Sequence, residues 1–547
     1  RNSLPRNRAP LRPAFPTCEI YMLCVGCRGA ARAVAVVWTA LLAMALASES
    51  APLCDKRGGD GTCDSGTGDS SLMQLARRAV APVATPRSRG PPRIGCAALV
   101  NEGSGVTVAT MVGTPTQEFA LVADTGSNQV VINDCVCADV KGGCAAEDPC
   151  FRRTSRSSTF AVQSDMAPAA ITYASGTLMG VYATEVVRVG SVKALLEDGV
   201  FLYYSRKSLN IEGRFDGILG LGPPVASGDA DFLGGAKLFM QAAGVRRFTI
   251  CFNDAGIDGS MRVNVPPLKQ PLTSVGVYHW GLKLEGVSVG EAPDSGPALF
   301  CSPSSMDVGK HSPKKMPCAA IPDSGTTLVA GSNEGVQALI EAICDAWPRC
   351  RNDLPGGARK TERFETLLYR CDMYADDEFD SLPSVFFKVA GNRTGEQQTI
   401  ELTPWGYLGE YVYTLGLQDS HPMPFLTEGL NVALMQLPGN RTKRICVHQF
   451  MVSNYTTEVN GPVWILGMPL FYEYLVGFDL GDNETPPTIS IEGGKSCEAC
   501  SKKGTELMSY GRSQQSSSGP VSTRRPLRRV MAPPRAPRRK GSAQKQI

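Results

Sequence analysis

Histidine is scarce in this chain, with four in 547 residues. His279, His311, His421 and His448 fall in no metal-ligand or triad spacing, and we read them as structural or surface residues. Nucleophilic chemistry of the Ser/His kind therefore has no support. Long apolar runs are also missing. Ala33 to Leu46 is short for a membrane span, and Val463 to Phe478 is interrupted by Pro469, Glu473 and glycines. Neither reaches the ~20 apolar residues that a spanning helix needs. Acidic residues are nearly absent from both ends. Residues 501–547 hold 12 Lys/Arg and the single acid Glu506, and residues 1–32 hold six Arg and the single acid Glu19. Between them, residues 33–500 carry 37 basic and 50 acidic side chains, so the formal +3 of the whole hides a body of net −13. Such a body suits a compartment of low pH, where part of the charge is neutralised. No nucleic-acid partner is expected.

What is present points to the secretory pathway. Met22 is the first methionine and the expected start, which leaves residues 1–21 as an upstream extension. Arg28 and Arg32 form a charged region, Ala33 to Leu46 an apolar one, and Ala45-Leu46-Ala47 a small-x-small cleavage site. Residues 22–47 thus read as a signal peptide, with an uncleaved anchor as the alternative. The chain has 19 cysteines, of which 16 follow that site. An even number in an exported chain reads as a disulfide framework. Cys135, Cys137, Cys144 and Cys150 are clustered, but no histidine lies near them, and bridges are expected there rather than zinc. Asn392, Asn440, Asn454 and Asn483 each open an N-x-Thr sequon. Residues 48–95 are polar and carry Lys56, Arg57, Arg77, Arg78, Arg87, Arg89 and Arg93. They read as a propeptide-like segment, with a plain linker as the alternative. From Cys96 to about Ile491 short apolar runs alternate with Gly turns, which argues an all-β body. Gly335 to Ala346 has helical spacing of its apolar residues. Residues 492–547 read as a basic, disordered tail.

Two segments carry chemistry: Ala-Asp-Thr-Gly-Ser at 123–127 and Pro-Asp-Ser-Gly-Thr-Thr at 322–327. Each puts an aspartate on a Gly turn directly after an apolar run. Asp64-Ser-Gly-Thr and Asp294-Ser-Gly repeat the pattern without flanking apolar strands, and we read them as surface turns. One aspartate per half lets two carboxylates meet at a pseudo-two-fold axis. Two like charges that close share a proton, so one acts as general base toward water and the other as general acid toward a carbonyl.

In order along the chain, Val112 to Phe119, Asp124-Thr-Gly-Ser127, Phe151 with Ser157-Ser-Thr-Phe160, Tyr173-Ala-Ser-Gly176, Phe215 to Gly222, Asp323-Ser-Gly-Thr326, and Trp464-Ile-Leu-Gly467 with Phe471 and Phe478-Asp479 resemble the landmarks of pepsin-like aspartic endopeptidases. The dense Cys135–Cys150 loop resembles that of nepenthesin-like members. The resemblance implies an all-β, bilobal fold with a cleft between two pseudo-symmetric lobes, here 96–268 and 269–491. It implies Asp124 and Asp323 as the catalytic pair, with Gly126, Ser127, Gly325 and Thr326 supporting them. Tyr173 and Gly176 would lie on a hairpin that closes over substrate. No cofactor or metal is implied; the partners are protein or peptide substrates of a monomer without a membrane span after signal cleavage. The chain would be secreted or held in an acidic lysosome- or vacuole-like compartment. By the same resemblance Cys301 pairs with Cys318 and Cys371 with Cys446, while the four clustered cysteines pair among themselves. Cys96 with Cys251 is a further expectation, since both flank first-lobe strands. Val131 stands where many members carry tryptophan, Ala174 replaces a hairpin glycine, and the 301–318 loop is long. A catalytically inactive, pepsin-like peptide-binding or inhibitor-target protein is the alternative, although such proteins usually lose one aspartate or its glycine.

Overall fold

The computed structural model describes residues 94–139, 149–162, 168–173, 176–204, 215–223, 238–253, 257–293, 299, 301, 318–352, 359–373, 379, 381–414, 442–453, 455, 462–482, 484–494, 497–500 and 530–531. All of them belong to the second of two compact units, Arg87–Ile547; the first is Arg1–Pro86. The expected extension, signal peptide and most of the propeptide-like segment lie outside the described residues. So do Asp64, Cys144, Asp294, Asn440, Asn454 and Asn483.

The architecture is mostly β, as the turn-rich pattern predicts. Thirteen strands form one sheet and seven another. In the seven-stranded sheet Cys318–Pro322 is fully buried. In the larger one Val130–Asn133 and Gly217–Gly220 are also buried at every position. This is why they read as unbroken apolar runs rather than alternating ones. At the periphery alternation returns: Val192–Tyr203 begins with three buried–exposed pairs.

Both halves contain the same crossing. Gln117–Asp124 runs parallel to Gly217–Gly220, which pairs antiparallel with Val130–Asn133. Cys318–Pro322 runs parallel to Val463–Leu466, which meets Val329–Gly331 antiparallel at Ala330 and Ile465. The loop between the first and last strand of each set carries the aspartate. Gly222 N donates to Ser127 O and Met468 N to Thr326 O, each at 2.8 Å.

The larger sheet is not confined to the first half of the sequence. Tyr474–Asp479 pairs with Arg247–Cys251, and Thr488–Gly493 pairs with Tyr474–Asp479 on its far side. The fully buried Trp280 packs against Phe478 at 5.0 Å and Phe248 at 6.5 Å, and Phe248 stacks on Phe478 at 5.0 Å. Aromatic contacts of this size stabilise beyond their buried area. The helical pattern near 335 is a helix over Asn333–Ala346, started by Ser332 Oγ accepting from Gly335 N at 3.1 Å. Lys360–Leu368 is a further helix, with only Phe364, Leu367 and Leu368 buried. Val463 to Phe478 is strand, short helix and strand, and no helix among the described residues is long and apolar enough to cross a membrane.

The disulfides correct one expectation. Cys96 does not pair with Cys251; Cys96 joins Cys500 and Cys251 joins Cys497. Strand Gly259–Val263 lies between the two cysteines' strands, with Arg262 opposite Cys96 and Ser260 opposite Cys251. Two strand spacings amount to about 9.6 Å, beyond the ~7 Å Cα limit of a bridge. A boundary shifts as well. The segment expected to be disordered from 492 continues the strand to Gly493 and is fastened at Cys497 and Cys500, while Val530–Met531 pairs in parallel with Glu410–Tyr411. Cys135–Cys150, Cys301–Cys318, Cys344–Cys350 and Cys371–Cys446 are also bonded. Cys137 is disulfide-bonded too.

A non-reducing peptide map should therefore link Cys96 to Cys500 and Cys251 to Cys497. Replacing Cys251 and Cys497 with alanine should destabilise the protein by about 2–4 kcal/mol, read as a lower melting temperature. A map linking Cys96 directly to Cys251 would refute this topology.

Candidate active site

The two aspartates expected from the sequence are brought to one place, each at the end of a buried strand. Asp124 is 7% exposed and Asp323 8%. Within each loop the bonds are the same. Gly126 N donates to Asp124 Oδ1 at 2.8 Å, and Ser127 Oγ donates to Asp124 Oδ2. Gly325 N donates to Asp323 Oδ1 at 2.8 Å, and Thr326 Oγ1 donates to Asp323 Oδ2 at 2.7 Å.

The loops also cross. A Cβ on Gly126 would fall 2.6 Å from Asp323 Oδ1, and one on Gly325 would fall 2.6 Å from Asp124 Cγ. Each glycine therefore lies against the opposite carboxyl group, and any side chain there would push the pair apart.

A reciprocal set of bonds, carried by the residue after each aspartate, locks the crossing. Thr125 N donates to Ser324 Oγ and Ser324 N to Thr125 Oγ1, both at 3.0 Å. Thr125 Oγ1 donates to Pro322 O at 2.9 Å and Ser324 Oγ to Ala123 O at 2.7 Å. Both residues are fully buried. Sequence reasoning missed this pair, although a hydroxyl residue directly after each aspartate was the available signal.

Burial raises the pKa of Asp124 well above the usual carboxylate range. The Asp323 charge raises it further and the Ser127 hydroxyl opposes this; a hydrogen bond with the Asp323 side chain raises it again, and the Gly126 N–H lowers it. Two carboxyl groups this close and this buried cannot both ionise readily, and such a pair shares a proton.

Tyr173 and Gly176 face each other across the end of a hairpin, and Gly176 has φ of 144°. Ala174 lies outside the described residues. Tyr173 packs against a buried cluster made up of Val131, Leu178, Phe201, Tyr203 and Ile218. Val131, standing where many pepsin-like members carry tryptophan, is thus part of the apolar cluster against which the tyrosine packs. The Tyr173 hydroxyl is sealed from solvent, with Asp124 and Ser127 as polar neighbours. Burial, then the Asp124 charge, pushes its pKa far up, so the phenol stays a neutral donor.

The sequence gives His279 no specific place within its reading as a structural or surface residue. Its Nδ1 is 2.9 Å from the carbonyl oxygen of Gly126, inside the first aspartate loop. Asn392 is exposed, as a glycan acceptor must be. Among the described residues no cluster of His, Cys, Asp and Glu could hold a metal ion.

A raised carboxyl pKa has a stability consequence of fixed sign. Below pH ~3.8, the ordinary aspartate value, Asp124 is protonated in both folded and unfolded chains and its contribution is intact. As pH rises toward the folded value, only the unfolded chain gains the favourable ionisation, and stability is lost. Asp124→Asn should therefore raise the melting temperature more at pH 7 than at pH 4. An equal or reversed gap would contradict a raised Asp124 pKa.

Comparison with known proteins places these features in context. Residues 107–243 match the family model described as eukaryotic aspartyl protease. Cathepsin E of Mus musculus is 25% identical over 396 residues, spanning 68% of this chain and 77% of its own. Pepsin A of Suncus murinus is 29% identical over 394 residues, with the same two shares. Pepsin A of Sus scrofa is 24% identical over 394 residues, 68% of this chain and 78% of its own.

Proposed function

We propose that Asp124 and Asp323 are the catalytic pair of this chain, which belongs to the pepsin-like aspartic proteases and is an aspartic endopeptidase acting on peptide substrates. The observation that carries the assignment is the dyad itself: two buried carboxyl groups, each with Gly N–H and hydroxyl donors of its own and each pressed by the opposite loop's glycine.

The chemistry follows from the proton that such a pair shares. A water held between the two groups attacks the scissile carbonyl carbon. As the C–O bond forms, the ionised carboxyl takes the water proton and the protonated one gives its proton to the carbonyl oxygen. The resulting gem-diol collapses, the C–N bond breaks, and the amine leaves with a proton from the dyad. No acyl-enzyme forms, so the scarcity of histidine is no obstacle. Tyr173, poised on its hairpin beside Asp124, excludes bulk water from the bound peptide. Gly126, Ser127, Gly325 and Thr326 hold the carboxylates in orientation.

An acidic compartment of the secretory pathway, secreted or lysosome-like, suits a dyad that must keep one proton, and the net −13 body agrees. We further propose that residues 48–95 restrain the enzyme through their basic side chains until acid neutralises the acidic body, and that the mature enzyme works as a monomer. The intact motifs argue against the inactive peptide-binding alternative.

Asp124→Asn and Asp323→Asn should each remove hydrolysis of an unfolded protein substrate at acid pH, since the pair acts as a unit. Near-wild-type cleavage by either variant would refute the assignment. Protein beginning at Ser48 should show a lag at acid pH that ends as its N-terminus is trimmed. Immediate full activity without trimming, read by mass spectrometry, would leave 48–95 a linker.

A further inference from the structure

We infer that His279 is a positioning residue for the first aspartate loop, acting on Asp124 from the opposite half of the chain. This rests on the dyad assignment above.

The Gly126 carbonyl can only accept, so the 2.9 Å contact makes His279 Nδ1 the donor. An imidazole can keep a proton on Nδ1 whether neutral or charged, so the bond does not depend on the charge state. That carbonyl belongs to the peptide unit between Gly126 and Ser127. Gly126 N bonds Asp124 Oδ1 and Ser127 Oγ bonds Asp124 Oδ2. This peptide unit is the link between the two donors, so turning it would shift the Gly126 and Ser127 backbone that carries them. His279 fixes the orientation of the unit that joins them.

The histidine is itself rigidly delivered. Its segment is closed by Val275 N donating to Gly281 O at 2.8 Å. Ser274 Oγ accepts from Gly276 N at 3.3 Å and from Gly281 N at 3.2 Å. The next residue, Trp280, is fully buried, and its Nε1 donates to Leu221 O at 2.8 Å. Leu221 N in turn donates to Asp124 O at 2.7 Å. Two adjacent side chains thus bond two backbone elements that frame Asp124. The Tyr455 ring stands edge-on to the imidazole at 6.4 Å.

The arrangement breaks the pseudo-symmetry of the site. The backbone bonds Gly222 N to Ser127 O and Met468 N to Thr326 O match across the axis. Among the described residues, however, no side chain bonds the Gly325 carbonyl as His279 bonds that of Gly126. Nothing in the aspartate motifs could have revealed this, because the histidine lies 153 positions from its partner.

The test is a pair of near-isosteric variants of the full chain, H279L and H279N, assayed on a fluorogenic peptide at acid pH with melting temperatures measured alongside. H279L cannot donate, and its kcat should fall about tenfold with KM and melting temperature unchanged. H279N offers an amide N–H near the Nδ1 position and should recover most of kcat. An unchanged kcat for H279L, or H279N no more active than H279L, would overturn the proposal. So would a raised KM at constant kcat, which would make His279 a substrate-contacting wall. D124N is run in parallel: if it cleaves like wild type, the dyad assignment fails and this role with it, whereas an inactive D124N beside indifferent His279 variants overturns this proposal alone.

Discussion

Asp124 and Asp323 lie together where solvent is nearly excluded, and in that setting two negative charges are harder to hold than one. A shared proton resolves the conflict, and most of the surrounding structure follows from keeping it. Glycine is required on both loops because each presses on the opposite carboxyl group. Hydroxyl and N–H donors are required on both because the remaining charge, once buried, needs hydrogen bonds. Neither half can supply the arrangement alone: the Thr125–Ser324 bonds run from one half of the sequence to the other, 199 residues apart.

A dyad of this kind opposes stability at neutral pH, so the framework around it has to hold without its help. The larger sheet does this by adding Tyr474–Asp479 and Thr488–Gly493 beside Arg247–Cys251, tying the end of the ordered body to its beginning. Cys96–Cys500 and Cys251–Cys497 fasten the same junction covalently, and Trp280 fills the core beneath it. Long-range bridges restrict the unfolded chain most strongly, which fits their place across separations of 404 and 246 residues.

The aspartate loops were legible because their signal is local: a buried strand reads as an apolar run, and a tight turn reads as glycine and hydroxyl residues. The same holds for the helix capped by Ser332. What escaped was set by distance along the chain. The partners of Cys96 and Cys251 depend on which strand separates them, and strand order follows from tertiary pairing rather than composition. His279 reads only as a structural or surface histidine because the carbonyl it bonds is supplied by another segment. The boundary at 492 shifts because residues 492–500 carry no apolar periodicity in sequence, while Cys497 and Cys500 are fastened by disulfides.

The two loops make the same bonds to their aspartates, and their surroundings make them chemically distinct. Asp124 has the Tyr173 phenol beside it, the apolar cluster with Val131 and Ile218 against which that tyrosine packs, and the His279 bond on its loop. A neutral phenol and an apolar cluster displace water without supplying charge, and this leaves burial as the leading cause of the raised Asp124 pKa. A symmetric pair in identical surroundings would divide its proton evenly. Here the two carboxyl groups have different neighbours, and burial disfavours the charged form of Asp124.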